Sequence, residues 1–373
     1  MDCRRDQYWH QCYFNIYTND QPQFNNIRRF IYADDLCLAT QSKSFTATER
    51  RLTNALQSLS SYYKKWFLNA NPSKTQVCAF HLNNNQAQKT LEIKWEGKTL
   101  NHDSFPVYLG VTLDRTLSFK EHIRKLKEKL SSRNNLIGNL TNSSWGADPM
   151  TIKTSALALC YSTAEYCAPV WARSCHAAKV DVELNHACRT ITGNLKPTPL
   201  SSLYRLAGIA PPSIRRETLA KFERDKQMSD YRHPMHGHQE VQQRLKSRRS
   251  FATVSGLQGL KPPQYRLEKW LENDQVPPHE SLPPPSETLP CGASFCRKEW
   301  VALNRARARV GRTNNNLYRW GLAASAACPC GEPEQTMGHI LRECKLGPRC
   351  SNEDLLEANN TALQWTRWWS DKI

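Results

Sequence analysis

Two groups of residues carry types and spacings suited to chemistry. Residues 28–40, RRFIYADDLCLAT, set Asp34 and Asp35 side by side between two short apolar runs, FIYA and LCLA. The simplest geometry is a hairpin with both carboxylates at its tip. Mg²⁺ takes hard oxygen ligands, keeps several waters, and is commonly held by one or two carboxylates plus substrate phosphates. Two such ions can activate a hydroxyl and stabilise a leaving oxygen in nucleotidyl transfer. Taken alone, the dipeptide reads first as an exposed turn. The second group, CPCGEPEQTMGHILREC, offers Cys328, Cys330, His339 and Cys344 in the order C-x-C-x8-H-x4-C. Three thiolates and an imidazole can close a tetrahedral structural Zn²⁺ site with no open position, and such a site folds a segment too small to hold itself together. The competing reading is a set of unrelated buried cysteines, and Cys350 is an alternative to Cys344.

The elements that must position these groups can be read from periodicity. A helix is expected from a capping box, Thr46-x-x-Glu49, with Leu52, Ala55, Leu56, Leu59, Tyr63 and Trp66 on one face and Asn71-Pro72 beyond its end. In FKEHIRKLKEKLSSRNNLIGNL, Ile123, Leu126, Leu130, Ile137 and Leu140 share a face, and Lys120, Arg124 and Lys127 form a basic row beside it. Such a row is most simply a solvated face. The most apolar stretch, TSALALCYSTAEYCAPVWA, is interrupted by Glu165 and Pro169 and reads as a buried helix.

The 373 residues suffice for two or three domains. Lys and Arg total 51 against 34 acidic residues, a net charge of +17, which favours a polyanionic partner. Hydrophobic residues make up 39% of the chain, so a core can form, while a mean hydropathy of −0.67 implies substantial loop. No repeat of fixed period is present. MDCRRDQYWH has no apolar signal-peptide region and no stretch reaches the length of a membrane span. Fourteen cysteines without a secretory signal point to reduced thiols or metal ligands, and thus to an intracellular location, cytoplasm or nucleus. The fold expected is α+β, divided as 1–110, mixed strand and helix; 111–228, mainly helical; 229–290, a Pro- and His-rich linker without apolar periodicity, expected to be disordered; and 291–373, basic and helical with the Cys/His group. Within the last part, residues 297–320 carry Arg305, Arg307, Arg309 and Arg312 with Trp300, Tyr318 and Trp320 interleaved. Guanidinium groups match phosphates and rings stack on unpaired bases, so this stretch suits RNA or single-stranded DNA. Core packing explains the aromatics equally well.

Tyr-Ala-Asp-Asp between two apolar strands resembles motif C of reverse transcriptases. Further stretches agree in order: NIYTNDQP at 15–22 resembles the helix after motif B in non-LTR retrotransposon enzymes, WFLNANPSKTQVCAF at 66–80 looks like motif D, and VYLGVTLDRTLSF at 107–119 looks like the primer grip leading into the thumb. The segments after the thumb and at 300–345 are similar to the C-terminal part of jockey-like elements. The resemblance implies a partial reverse-transcriptase palm, a helical thumb and connector, and a small zinc-binding module. It also implies RNA-directed DNA synthesis with Mg²⁺ at Asp34 and Asp35, with an RNA template, a DNA primer or target, and no membrane. Lys74 would take the place of the motif D lysine and protonate the leaving pyrophosphate. Tyr108, Leu109 and Gly110 would form the primer grip, an ordinary strand end being the other reading.

The family also places a third aspartate in motif A, upstream of YADD. Only 33 residues precede Asp34; Asp20 belongs to NIYTNDQP, and Asp2 and Asp6 match nothing in motif A. The chain is therefore expected to be N-terminally truncated and inactive alone. The alternative function is a non-catalytic nucleic-acid-binding protein acting through the thumb and zinc module.

Overall fold

The computed structural model describes residues 13, 16–238, 251–274 and 281–373. It is an α+β chain whose contacts divide it into two units, one ending at Leu117 and one beginning at Ser118. Among the described residues the strands lie in the first unit, as four separate pairs.

In the first unit, β1 (Ile27–Tyr32) and β2 (Asp35–Thr40) form an antiparallel hairpin. Helix α1 (Phe45–Lys65) follows. Its N-cap is Ser44, whose hydroxyl accepts from the Ala47 amide, so the expected box at Thr46 is displaced by two residues. Glu49 instead accepts from the backbone amide of Glu92 at 3.0 Å, a long-range contact that competes with local capping. Ala55, Leu56, Leu59 and Tyr62 are the buried stripe of α1. Of these, Leu56 and Leu59 pack with Val77 of β3 (Gln76–Val77), Trp95 of β4 (Lys94–Trp95), and with Leu91, Ile93 and Leu100, which lie outside the strands. Four further two-residue strands complete the unit: β5 (Lys98–Thr99) pairs with β4, β6 (Asn101–His102) runs parallel to β3, and β7 (Val107–Tyr108) pairs with β8 (Val111–Thr112).

The second unit is helical. Helix α2 (Lys120–Gly138) buries Ile123, Leu126, Leu130 and Ile137 as its spacing predicts, whereas Leu140 is 44% exposed because the helix stops at Gly138. The apolar stretch forms α3 (Pro149–Ala156), one π-helical turn (Leu157–Tyr161), α4 (Ser162–Glu165) and α5 (Ala168–Trp171), ending in a fully buried Trp171. Helices α6 (Ala178–Thr192), α7 (Leu200–Ala207) and α8 (Pro212–Ser229) follow.

Part of the expected linker is ordered as α9 (Pro262–Glu272). Its anchors are mostly polar, which is why no apolar period announced it: the Tyr265 hydroxyl donates to Glu217 at 2.7 Å, Arg266 pairs with Glu287 at 2.6 Å, and Trp270 is buried. Residues 239–250 and 275–280 of that linker, like Asn15, Asp2 and Asp6, lie outside the described residues.

The C-terminal segment contains α10 (Arg297–Arg307), α11 (Asn314–Arg319), α12 (Met337–Arg342), α13 (Asn352–Glu357) and α14 (Asn360–Trp369). Trp300, Leu303, Met337, Ile340, Trp365 and Trp369 form its core together with Cys328 and Cys344. Helix α10 also closes the end of α6. The last carbonyls of a helix have no partner within it. Here Arg297 donates to the carbonyls of Thr190 and Ile191, each at 2.7 Å, Trp300 Nε1 to Ile191 at 3.0 Å, Asn304 to Thr192 at 3.1 Å and Arg305 to Gly193 at 3.2 Å. Gly193 is left-handed at φ 73°, and a Cβ there would lie 2.2 Å from a Val301 methyl, so only glycine admits this approach.

Candidate functional site

Tyr32 pairs with Asp35 across the hairpin, so the two-residue turn is Ala33-Asp34 and Asp35 is the first residue of β2. The tip is thus displaced by one residue from Asp34-Asp35. Ala33 takes a positive φ of 51°, the sign that a tight hairpin turn requires at its first central position. Both carboxylates are exposed, and neither has a hydrogen-bond or ion-pair partner among the described residues. They can supply two oxygen ligands to a divalent cation. No third Asp, Glu, His or Cys among the described residues gathers with them. Asp20 is engaged elsewhere, accepting from the Tyr62 hydroxyl at 2.5 Å. Burial, followed by that bond, pushes the Tyr62 phenol up to about 12.

The turn between β7 and β8 is Leu109-Gly110, with φ 45° and 79°. Positive φ at both central residues is the type I′ pattern, unusual for leucine and easy for glycine. Tyr108 lies within electrostatic reach of the YADD hairpin: its phenol is raised by burial and then by the charges of Cys37 and Asp35. Lys74 sits in a turn fixed by its own amide, which donates to the backbone and side-chain oxygens of Asn71. Its ammonium is exposed, and no bond links it to Asp34 or Asp35.

On α2, Lys120 and Lys127 are exposed, but Arg124 is held by Glu121 at 2.6 Å and Glu128 at 2.5 Å. The row is thus exposed along its length, with Arg124 ion-paired to two carboxylates of its own helix between the two lysines.

The arginines of 297–320 need a larger correction. Arg305 and Arg307 are buried, at 7% and 0% exposure, and bind carbonyl oxygens: Arg305 those of Gly193 and Ile373, Arg307 those of Leu355, Leu356 and Cys291. Burial draws both guanidiniums down to about 10. In this packing neither can reach a phosphate. Arg309 is half-buried and donates to the Asn352 side chain. Arg312 is exposed and has no hydrogen-bond partner among the described residues. Trp300 is core, whereas Tyr318 and Trp320 are exposed. The clasp formed by Arg297, Trp300, Asn304 and Arg305 went unread, although their i, i+3, i+7, i+8 spacing marks one helix face.

Cys328, Cys330, His339 and Cys344 converge, with all four ligand atoms within 4.8 Å of one another. Cys328 and Cys344 sulfurs are 3.7 Å apart, and Cys330 Sγ is 3.2 Å from His339 Nε2. A tetrahedral zinc with thiolates at about 2.3 Å has sulfur–sulfur edges of about 3.8 Å. The donor set and its dimensions therefore fit a structural zinc. His339 is placed by α12, whose N-cap Thr336 accepts from the His339 amide, and its Nε2 faces the thiolates. Buried Nδ1 has no hydrogen bond; the Glu343 carboxylate lies 3.8 Å away, where it can orient the ring. A backbone hydrogen bond from Glu332, with smaller help from the neighbouring ligands, draws the Cys330 thiol down to about 7. Burial pushes Cys344 up to about 11. Cys350 is not among the four, and burial raises its thiol to about 12.

The sequence is similar to RNA-directed DNA polymerases of mobile elements. The probable enzyme of transposon BS from Drosophila melanogaster is 30% identical over 166 residues, 43% of this chain and 18% of that protein. The Pol polyprotein of the type-1 retrotransposable element R1 from Bradysia coprophila is 23% identical over 345 residues, 89% of this chain and 32% of that protein. The polymerase of mobile element jockey from Drosophila melanogaster is 26% identical over 128 residues, covering 32% of this chain and 14% of that protein. These relatives are polymerases of non-LTR retrotransposons, and the chain is similar to them. It spans less than a third of the length of each of these relatives. No protein-family profile and no solved structure matches it. No helix of the described residues is long and apolar enough to cross a membrane.

Proposed function

We propose that this chain is the part of a non-LTR retrotransposon reverse transcriptase that carries half of the polymerase palm, the thumb and connector, and a zinc-stabilised C-terminal module. The observation that supports the reading most is the Tyr-Ala-Asp-Asp hairpin, with both carboxylates exposed at its turn, in a chain that is similar along 89% of its length to the R1 Pol polyprotein. In the parent enzyme, Mg²⁺ held by the two carboxylates would activate the primer 3′-hydroxyl and stabilise the leaving oxygen. Lys74 would meet the triphosphate with its exposed ammonium and protonate the departing pyrophosphate. The Leu109-Gly110 turn would support the primer backbone, and Lys120 and Lys127 would touch phosphates from the thumb. Cys328, Cys330, His339 and Cys344 would bind zinc for structure, since all four positions are filled by protein.

Among the described residues no third carboxylate joins Asp34 and Asp35, and about 1 Å of misplacement in a metal pair held by two alone would cost on the order of a hundredfold in rate. A second reading follows from that geometry: by itself, this chain binds nucleic acid without extending a primer. Primer extension by the purified chain on an RNA template with Mg²⁺ tests it. No product is expected, and synthesis abolished by Asp34→Asn would show that two carboxylates suffice.

A further inference from the structure

The four side chains of the Cys/His cluster are not equally sheltered. Cys328 and Cys344 are 3% and 2% exposed and pack into the core of the C-terminal segment, and His339 is buried as well. Of the four, Cys330 alone is half-open to solvent. It sits on a tight turn between the exposed Pro329 and Gly331, closed by the Gly331 amide, which donates to the Cys328 carbonyl at 3.0 Å. An oxidant arriving from solvent therefore meets one sulfur first, and the other three ligand atoms lie within 4.8 Å of it.

We propose that this cluster is a redox switch: hydrogen peroxide oxidises Cys330, Cys344 closes a disulfide with it, and the module gives up its zinc. The inference rests on the zinc reading above and adds the regulation of that site. The Cys330 thiolate attacks one peroxide oxygen, the O–O bond breaks, and hydroxide leaves to take a proton, giving a sulfenic acid. The Cys344 thiolate then attacks that sulfur, forming the S–S bond and expelling the sulfenic oxygen as a second hydroxide, which is protonated in turn. The two sulfurs give up two electrons, and peroxide with two protons becomes two waters. Cys328 is the poorer partner, because a bond across the single residue Pro329 would strain the turn, whereas Cys344 enters from beyond α12, its amide held by the His339 carbonyl at 2.9 Å. A disulfide of about 2.05 Å cannot span a tetrahedral edge of about 3.8 Å, so the bond and the metal exclude each other. The change reaches past the cluster. Cys328 and Cys344 share a core with Trp300 and Leu303 of α10, the helix whose Arg297, Trp300, Asn304 and Arg305 close the end of α6, so oxidation loosens that closure too.

The test exposes the full zinc-loaded chain to stoichiometric hydrogen peroxide, follows released zinc with a chromophoric chelator, and maps disulfides by mass spectrometry. Zinc release, a Cys330–Cys344 bond and reversal by a thiol reductant with added zinc are the expected results. Cys330→His keeps a fourth ligand but removes the open sulfur, and should slow release by about tenfold or more, since oxidation follows thiolate exposure. Cys296→Ser, which removes an exposed thiol outside the cluster, should release zinc as the native chain does. Zinc that stays bound while Cys175 and Cys296 are oxidised would overturn the proposal, as would release without a Cys330–Cys344 bond. If Cys330→His does not hold zinc, the disulfide map of the native chain decides alone. A chain that binds no zinc when purified under reducing conditions would overturn the zinc reading itself.

Discussion

Arg297 Nη1 lies 2.7 Å from the carbonyl oxygen of Ile191, and this contact makes the start of α10 the cap of α6. A cation at a helix C-terminus complements the helix dipole, and here it also satisfies carbonyls that burial would otherwise leave unpaired.

Arg297→Ala should therefore destabilise the second unit. Hydrogen bonds to charged groups contribute about 1.5–3 kcal/mol, so losing those to Thr190 and Ile191 should cost about 3 kcal/mol in denaturant melts. The salt slope of RNA binding should not move. Arg305→Ala should behave in the same way, since its guanidinium binds carbonyls inside the fold. A flattened slope without loss of stability would return these arginines to the phosphate surface.

About one equivalent of zinc should copurify with the chain and be absent from Cys328→Ser/Cys330→Ser. Structural zinc binds with about 10 kcal/mol or more, so chelation should melt the core around Trp300, Met337 and Trp365. Metal analysis and near-ultraviolet circular dichroism before and after chelation check both points.

Zinc affinity should also rise with pH. Burial holds the Cys344 thiol up to about 11, so at neutral pH the metal must displace its proton, whereas Cys330, at about 7, is already partly ionised. Competition titrations from pH 6 to 8 should show affinity increasing by at least about tenfold per unit, the signature of one displaced proton. A flat profile would contradict thiolate ligation of the metal at this cluster.

Asp354 makes a separate contribution at acid pH. Hydrogen bonds from Asn359 and Ser351 hold its carboxyl below the ordinary 3.8. A carboxyl lowered in the folded state stabilises fully above its unfolded pKa and loses that contribution as pH falls through the folded value. Asp354→Asn should cost about 1 kcal/mol at pH 7, typical of a helix cap, and the difference from the native chain should shrink below about pH 4. Urea melts at pH 7 and pH 3 measure it.

The elements that sequence made legible are those whose signal is local. The hairpin at 27–40, the buried stripe of α1 and that of α2 all follow from short-range apolar spacing, and the Cys/His group from ligand spacing. What escaped depends on distant partners. Ser44 and Thr46 are both good caps, and the choice between them is entangled with Glu49, which is drawn to Glu92. A run of arginines looks the same whether it faces water or, like Arg305 and Arg307, the carbonyls of another helix. Helix α9 was hidden because Tyr265 and Arg266 anchor it through carboxylates on Glu217 and Glu287.

The central claim is that Asp34 and Asp35 are polymerase carboxylates. The direct measurement joins this chain to the upstream portion of the R1 polyprotein it resembles and follows DNA synthesis on a primed RNA template with Mg²⁺. The account predicts extension that Asp34→Asn or Asp35→Asn each abolishes, with RNA binding retained. Synthesis that survives both substitutions would contradict it.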